Sequence, residues 1–370
     1  VDIFKFENPK YGTKMEQGRI VTGLKSKTWI ERYRESGEFT LVAYPDSDIR
    51  SQLPIGSFIS HTDTTEVMIV ENHEINDDKD KDSEITITGR GFETFLENRI
   101  VGANKDYSNY AAVSIYSLTS DYTWNHAVKL IGDHILEASL LDDNSALAYV
   151  SVIHDIVDAG GSDYRSIKIG DVYTSLLELL AVDDLGIKVI RPGVLSPLGI
   201  ESSDLVLLIH KGVDRSGSLV YSYEGGEIES ADYLWSNKKL KNTAIVSGRW
   251  IEVMVTTGGL NYERRMMYVD ASDVDQGYEA IPSGGDLTLV KFYMQQRGYQ
   301  ALSSQKEIAL SKTEVSKEGT KLRYRIDYDV GDRIMVSGDY NEGAIQRVAE
   351  YVEIEDETGV QGYPTLTAVG

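Results

Sequence analysis

Between Gly37 and Gly91 four runs, EFTLVAY, PIGSFISH, EVMIVENHEI and EITITG, follow one another, interrupted only by the turn-rich PDSD and the acidic DDKDKDSE. Apolar residues at every second position give a strand one buried face and give a helix none. The segment is therefore expected to be an antiparallel β unit. The run from Asp77 to Glu84 joins two of these strands and reads as a solvated hairpin tip. Asp78, Asp80 and Asp82 have the spacing that opens a calcium loop, but the turn glycine and closing Glu are missing.

From about residue 100 to 191 the period becomes helical. Val128, Ile131 and Ile135 share a face in a segment starting near Asn125, and Val172, Leu176 and Leu180 share another after Asp171, a good N-cap, with Gly186 as its stop. Strands return at DLVLLIHKG, SLVYSYEGG and NTAIVSG. LTLVKFYMQQRGYQALSS, capped by Asp286, reads as a helix, and LRYRIDYDVGDRIMVSG and AIQRVAEYVEI close the chain in strands.

The two β units echo each other. EVMIVENHEI can be laid on IQRVAEYVEI with Ile69 on Val348, Glu71 on Glu350 and Glu74-Ile75 on Glu353-Ile354, and an aliphatic-Gly corner precedes each, PIGSFI at Pro54 and DVGDRI at Asp329. A second echo sets ITITGRG on AIVSGRW, with Thr88-Gly89-Arg90 on Ser247-Gly248-Arg249. Together they imply two copies of one small barrel-like domain, the second interrupted by an insertion. The expected fold is α+β and β-rich: a first β-barrel-like domain at 1–100, an α/β domain at 101–195, a second β-barrel-like domain at 196–250 and 319–370, and an inserted mixed domain at 251–318.

A chain of 370 residues exceeds one ordinary core. With 37 basic and 59 acidic side chains and a formal charge of −22, it is a poor match for a surface that tracks phosphates. The absence of Cys removes thiol nucleophiles, disulfides and thiolate metal sites. None of the 6 His residues falls in an HExxH spacing, and no G-x-S-x-G elbow occurs. Gly18 to Ser26 misses the phosphate loop by one inserted Leu. Gly89-Arg90-Gly91 lacks the third glycine of a dinucleotide fingerprint, and Glu93 behind it would repel a pyrophosphate. No catalytic, cofactor-binding or metal-ligating residue is assigned. A glycosidase pair among the acids, or a carbohydrate-binding module suited to 23 Tyr against 7 Phe, stays open as an alternative. The opening VDIFKFENPKYG shows neither an export signal nor a membrane anchor.

Several stretches, in this order, resemble the tail hub proteins of long-tailed bacteriophages, including the N-terminal hub region of tail-associated lysins. TWIERYRESGEFTLVAYP supplies Trp29, Arg32, Tyr33, Gly37, Phe39 and Leu41. ITITGRGFETFLENRIV supplies Gly89, Arg90, Gly91, Phe92, Leu96 and Arg99, LVYSYEGGEIESADYLWSNKKLKNTAIVSG ends at Gly248, and RGYQALSSQKEIAL leads to the corner Tyr328, Gly331 and Asp332.

The resemblance implies a non-enzymatic virion component without a cofactor, made in the host cytoplasm and carried at the distal end of the tail. It implies a homotrimer that meets the distal tail protein, the tail tube, the tape measure protein and tail-tip or receptor-binding proteins, with DNA passing through without specific binding. Lysin-bearing relatives continue into a wall-degrading region, whereas this sequence stops at GYPTLTAVG, so a hub without a lysin is expected. Gly89 and Gly91 are expected to break the last strand sharply. Phe92, Phe95, Leu96 and Ile100 should form the stripe of a following helix, and Arg90 and Arg99 are candidates for ion pairs or subunit contacts.

Overall fold

The computed structural model describes residues 3–7, 16–44, 48–76, 83–101, 115–136, 147, 150–156, 163–191, 205–274, 288–303, 305, 308–315, 322–337 and 343–369. The first part contains β1 (Ile3–Glu7), β2 (Glu16–Ile20), β3 (Leu24–Arg32), β4 (Glu38–Ala43), the single turn α1 (Ile49–Gln52), β5 (Phe58–His61), β6 (Met68–Asn76) and β7 (Glu84–Gly91). After a 3₁₀ segment at Phe92–Asn98 come β8 (Ile115–Asp121), α2 (Thr123–Ile131), β9 (Val150–His154), β10 (Asp163–Lys168), α3 (Val172–Ala181), β11 (Gly186–Ile190) and β12 (Leu205–His210). The rest contains β13 (Val220–Ser222), β14 (Ile228–Ser236), β15 (Thr243–Ser247), β16 (Glu252–Thr256), β17 (Met266–Asp270), α4 (Thr288–Ser303), β18 (Ile308–Val315), β19 (Arg333–Ser337), β20 (Gly343–Asp356) and β21 (Gly359–Ala368).

The fold is a β-rich α+β arrangement built on a curled half-barrel sheet, ordered β13-β19-β20-β3-β4-β7-β6-β5-β1-β2 with β21 on β20. The alternation read between Gly37 and Gly91 is realised. In β7 every second residue is buried, Ile85 and Ile87 among them, and in β4 Phe39, Leu41 and Ala43 point inward. The acidic run 77–82, with the calcium-loop aspartates, lies outside the described residues, although Asn76 pairs with Glu84 on either side of it.

One strand holds the two β units in a single sheet. Along one edge, β20 pairs with β19 from Gly343 to Arg347 and then with β3 from Glu350 to Glu355, while β21 follows its other edge. The change of partner falls at a bulge between Val348 and Glu350. β6 has the same irregularity against β7, between Val70 and Asn72. The matching corners also agree in detail. Gly56 and Gly331 both have positive φ, +85° and +98°, and their amides donate to Val70 O at 2.7 Å and Val348 O at 2.8 Å. Val70 N and Val348 N in turn reach Ser57 O and Asp332 O, each at 2.9 Å. These bonds set Val70, not Ile69, opposite Val348, so the first echo is displaced by one residue from the alignment of letters. A one-residue slip moves every side chain to the other face, and hydrogen bonding decides the register more strictly than similarity does.

The second echo has no structural counterpart. The hairpin partner of β20 is β21, whereas AIVSG forms β15, which pairs with β16 and, in parallel, with β17. Gly248 closes the turn out of β15, its N donating to Ile251 O at 2.8 Å. Strands β14 and β18 pair directly, so β15, β16, β17 and α4 all fall between two paired strands in the sequence. LVLLIH is β12, buried along its length between β9 and β11, and it belongs to the α/β unit.

That unit holds α2 and α3 against the sheet β11-β12-β9, with Leu130, Ile131, Leu176 and Leu180 fully buried. Asp171 caps α3 through Thr174 N at 2.7 Å, as its sequence position predicts. Helix α2 starts at Thr123 and its C-terminal end is wound as a π turn at Gly132–Leu136. Gly186 is a strand residue and not a stop; the chain leaves α3 at Asp184, whose φ is +60°. Asp286, the expected cap of α4, lies outside the described residues.

The Gly-Arg-Gly stretch differs from its expectation. β7 runs unbroken through Gly91, and Phe92–Asn98 is a 3₁₀ segment, not an α-helix. Its three-residue repeat brings Phe92 and Phe95 together, ring centroids 4.7 Å apart, and leaves Ile100 57% exposed and off the stripe. Gly89 is required by close approach: a Cβ there would lie 1.8 Å from Ile69 O and 2.7 Å from the Phe39 ring. At Gly91 the three nearest atoms all belong to the Glu93 side chain. Gly89→Ala is expected to lower stability by about 2–3 kcal/mol, within the range for overpacking, and Gly91→Ala by less. Urea unfolding midpoints measure both, and a reversed order contradicts the close-approach explanation.

Candidate functional site

The residues brought together from the greatest sequence distances meet around Tyr33, just beyond β3. Its ring is 2% exposed. A Cβ at Gly186 or Gly331 would fall within 2.5 Å of that ring, so both glycines serve as flat walls. The Arg347 guanidinium lies over the ring at 4.5 Å, and His210 meets it edge-on with centroids 5.1 Å apart. The hydroxyl donates to Asp184 O at 2.7 Å. Asp184 also accepts from Arg34 at 2.5 Å and from both terminal nitrogens of Arg347. Strand β3, the α/β unit and the β19–β20 unit thus close on one side chain.

The same seam buries charge. Alternation along β3 turns Lys27, Trp29 and Glu31 inward with Tyr33. Glu31 accepts from Tyr324 OH at 2.5 Å, Arg325 at 2.6 Å and Thr64 Oγ1. Lys27 is fully buried and donates to Glu353 at 2.5 Å, with Glu355 at 3.2 Å and His61 Nε2 at 2.6 Å. Burial, then the Lys27 ammonium, lowers the His61 pKa. Glu66 is held well above the carboxylate range by burial and by Glu31 beside it. Lys188 lies 3.5 Å from Asp329. Burial works against its charge, but Asp329, Glu66 and Glu31 outweigh it and its pKa is raised. Burial and Lys188 lower His210 to about 3, so its ring is neutral at physiological pH. Pairs buried this deeply fix geometry more than they add stability, because desolvation offsets most of their attraction.

The residues of the sequence signatures fall into place around this seam. Trp29 stacks on Phe39 at 5.8 Å. Arg32 bridges Glu38 at 2.7 Å and Glu350 at 3.1 Å, tying β3 to both neighbours. Gly37 lets Ile30 O and Met68 approach, and a Cβ there would meet them at 2.6 and 2.8 Å. Arg90 forks to Glu71 and Glu97, with contacts of 2.8–3.0 Å. Phe92 and Leu96 belong to the core of the α/β unit, and Arg99 O accepts from Val172 N at 2.8 Å. Tyr328 packs edge-on against Tyr221, and Asp332 accepts from Val213 N at 2.8 Å, Arg215 at 2.6 Å and Asp329 N at 3.0 Å. Gly248 lies apart, at the turn after β15. Sequence reading missed Lys188, Glu66 and Arg347, since a charged residue carries no local sign that a distant partner waits for it.

This is a joint, with backbone walls, stacked rings and closed ion pairs. Among the described residues no group of acidic or His side chains could hold a metal ion, and no helix is long and apolar enough to cross a membrane. Residues 12–366 match the family model described as Siphovirus ReqiPepy6 Gp37-like protein. The fold resembles the tail protein from Neisseria meningitidis MC58, with 14% identity, a TM-score of 0.53 and coverage of 100% of this chain and 97% of that one. It also resembles the 43 kDa tail protein of prophage MuSo2 from Shewanella oneidensis, with 13% identity, a TM-score of 0.51 and coverage of 100% and 98%. No curated protein matches the sequence.

Removing the Tyr33 ring leaves a cavity at the meeting of three units, and Tyr33→Ala is expected to cost about 3–5 kcal/mol. Calorimetry checks this, and a loss under about 1 kcal/mol contradicts the joint. Glu93, within the 3₁₀ segment, is buried, and burial pushes its pKa up to about 7 although hydrogen bonds from its own backbone and Ser36 oppose the shift. A raised carboxyl pKa stabilises the fold fully below the unfolded value of 4.5, and that stability is lost as pH rises through about 7. At about 1.4 kcal/mol per unit the loss is about 3 kcal/mol. Glu93→Gln is therefore expected to be more stable than the parent at pH 8 and equal to it near pH 4, by denaturant titration at both pH values. A parent as stable at pH 8 as at pH 4, relative to the variant, contradicts this.

Proposed function

The chain belongs to the Siphovirus ReqiPepy6 Gp37-like family of phage tail proteins, and on that premise we propose that it is the structural, non-enzymatic hub of the tail tip. In this reading it is a homotrimer that closes or extends the distal end of the tail tube, docks further tip or receptor-binding proteins and lines the path of ejected DNA. Its two barrel-like domains are the β3–β7 unit and the β14, β18–β21 unit, with the β15–β17 and α4 segment inserted in the second.

One observation carries the trimer. In the second unit, β14 pairs with β18, β18 lies along β21, and β21 and β19 flank β20, the same succession as β3, β4, β7, β6 and β5 in the first. Within the chain, β3 fills the edge of β20 beyond its bulge. The corresponding edge of β6, from Asn72 to Asn76, has no strand beside it among the described residues. Strand β14, the counterpart of β3, pairs with no strand but β18 among the described residues. Each chain therefore carries one filled copy of this contact and both halves of an open one. Joining β14 of one copy to β6 of the next repeats the filled contact head to tail, and such a contact closes into a ring when its rotation divides the circle. Three copies give six similar units, the number that meets a six-fold tube. Exposed strand edges favour such addition, since unpaired amides and carbonyls wait along them.

The cysteine-free chain allows a direct test. Ile75→Cys combined in turn with Ser230→Cys, Asp232→Cys and Leu234→Cys is expected to give, in one register, oxidised species of three chains on non-reducing gels. Open ladders, or no linkage from any pair, contradict the ring. The acidic balance fits a channel wall that DNA passes without the counterion release that makes basic surfaces adhesive. A basic lumen in the potential map of the assembled trimer would overturn that part.

A further inference from the structure

His210 ends β12 at the point where the α/β unit closes on Tyr33. Its backbone pairs with Gly186, one of the two glycines that wall the Tyr33 ring, and its carbonyl faces the Tyr33 hydroxyl at 3.4 Å. The imidazole is buried edge-on against that ring, and its Nε2 has no hydrogen-bond partner among the described residues. A proton added there would have no acceptor, and a buried charge without a partner is among the costliest groups a fold can hold. Lys188 from β11 and Arg347 from β20 oppose such a charge and Asp329 from the corner favours it, and burial with the two cations prevails. At the neighbouring tie, His61 Nε2 faces the Lys27 ammonium at 2.6 Å while Asp63 N donates to Nδ1 at 3.2 Å, and Arg325 adds positive charge. Glu353, 3.9 Å from Nε2, already accepts from Lys27 at 2.5 Å.

We propose that the Tyr33 joint is an acid-released latch: a proton on His210 sets it against Lys188 and Arg347 and parts the α/β unit from Tyr33 and β20, while each unit keeps its own fold. His61 acts in the same direction, since its proton would repel Lys27 and compete for Glu353. A lowered imidazole pKa stabilises the closed joint fully above the open-state value of 6.5, and that stability is lost as the pH falls below it toward the closed-state value. Lys188 outweighs burial at Asp329 and holds it below the usual carboxylate range, so its proton arrives only at lower pH. Glu66 and Glu93, with raised pKa values, run the other way and firm the fold as pH falls. The latch therefore shows locally, at the bonds that cross the joint, and not in the stability of the whole molecule. It is a property of the single chain and does not depend on the ring.

The test is hydrogen exchange of the full chain, read by mass spectrometry at pH 7 and pH 5 and corrected for intrinsic amide rates. Two amides report the joint, Ile187 N bonded to Tyr33 O at 3.3 Å and Tyr33 N bonded to Ala349 O at 2.9 Å. Their opening is expected to rise about tenfold for each pH unit below 6.5, with β4 and β7 protected throughout, and His210→Gln is expected to level most of that rise. Equal protection at both pH values, a rise unchanged in His210→Gln, or loss of β4 and β7 together with the joint overturns the latch. Histidine Cε1 shifts of the parent chain give a reading that needs no variant. The His210 ring is expected to stay neutral for as long as the joint amides stay protected, and a ring that gains its proton with the joint closed overturns the proposal.

Discussion

The relative placement of the two β units and the α/β unit depends on the close approach at Tyr33. A ring held between two glycines, under a guanidinium and against an edge-on imidazole, tolerates almost no relative movement of the elements that supply those groups. The elements come from three units separated by up to about three hundred residues, and the strand that leads into Tyr33 also carries the sheet from one β unit into the other. The buried pairs along β3 act with it. Glu31 with Arg325 and Lys27 with Glu353 each join β3 to the second unit, and separating them would leave a desolvated charge without its partner. The rigidity of the seam thus follows from geometry and from the penalty of opening it.

That rigidity gives the bulge in β20 its meaning. A strand that changes partner at a bulge can serve two β units only if their relative orientation is fixed, and the seam fixes it. Repeated between chains as proposed, that orientation would decide whether successive copies meet as a closed ring or as an open helix. In the proposed ring the joint within one chain would be the template for the contact between chains, and loosening it would disturb assembly before it disturbed the fold of either unit.

Much of this was legible in the sequence, and the failures share a cause. Period-two alternation located β4, β6 and β7, and the Asp171 cap located α3, because those signals are local. The pseudo-repeat was visible from its glycine corners, yet the letters set it one residue out, since Gly56 and Gly331 fix their register through bonds to Val70 and Val348 that leave no mark on side-chain identity. AIVSGRW imitated ITITGRG in letters while pairing elsewhere. LVLLIH read as a strand but not as a member of the α/β sheet, because an all-apolar run is compatible with any buried position. The seam was invisible as a site: Tyr33 appeared only as one letter of a signature, and Lys188 and Arg347 not at all.

The central claim is that one contact, used once within the chain, is used again between chains to make a ring of six similar β units. Electron microscopy of the tail end, with the position of this chain marked, tests it most directly. The account predicts three copies around the tail axis, with β14 of each lying along β6 of the next and a six-fold modulation where the β units face the tube. Copies related by a two-fold axis, or a ring in which the β6 and β14 edges both face solvent, would contradict it.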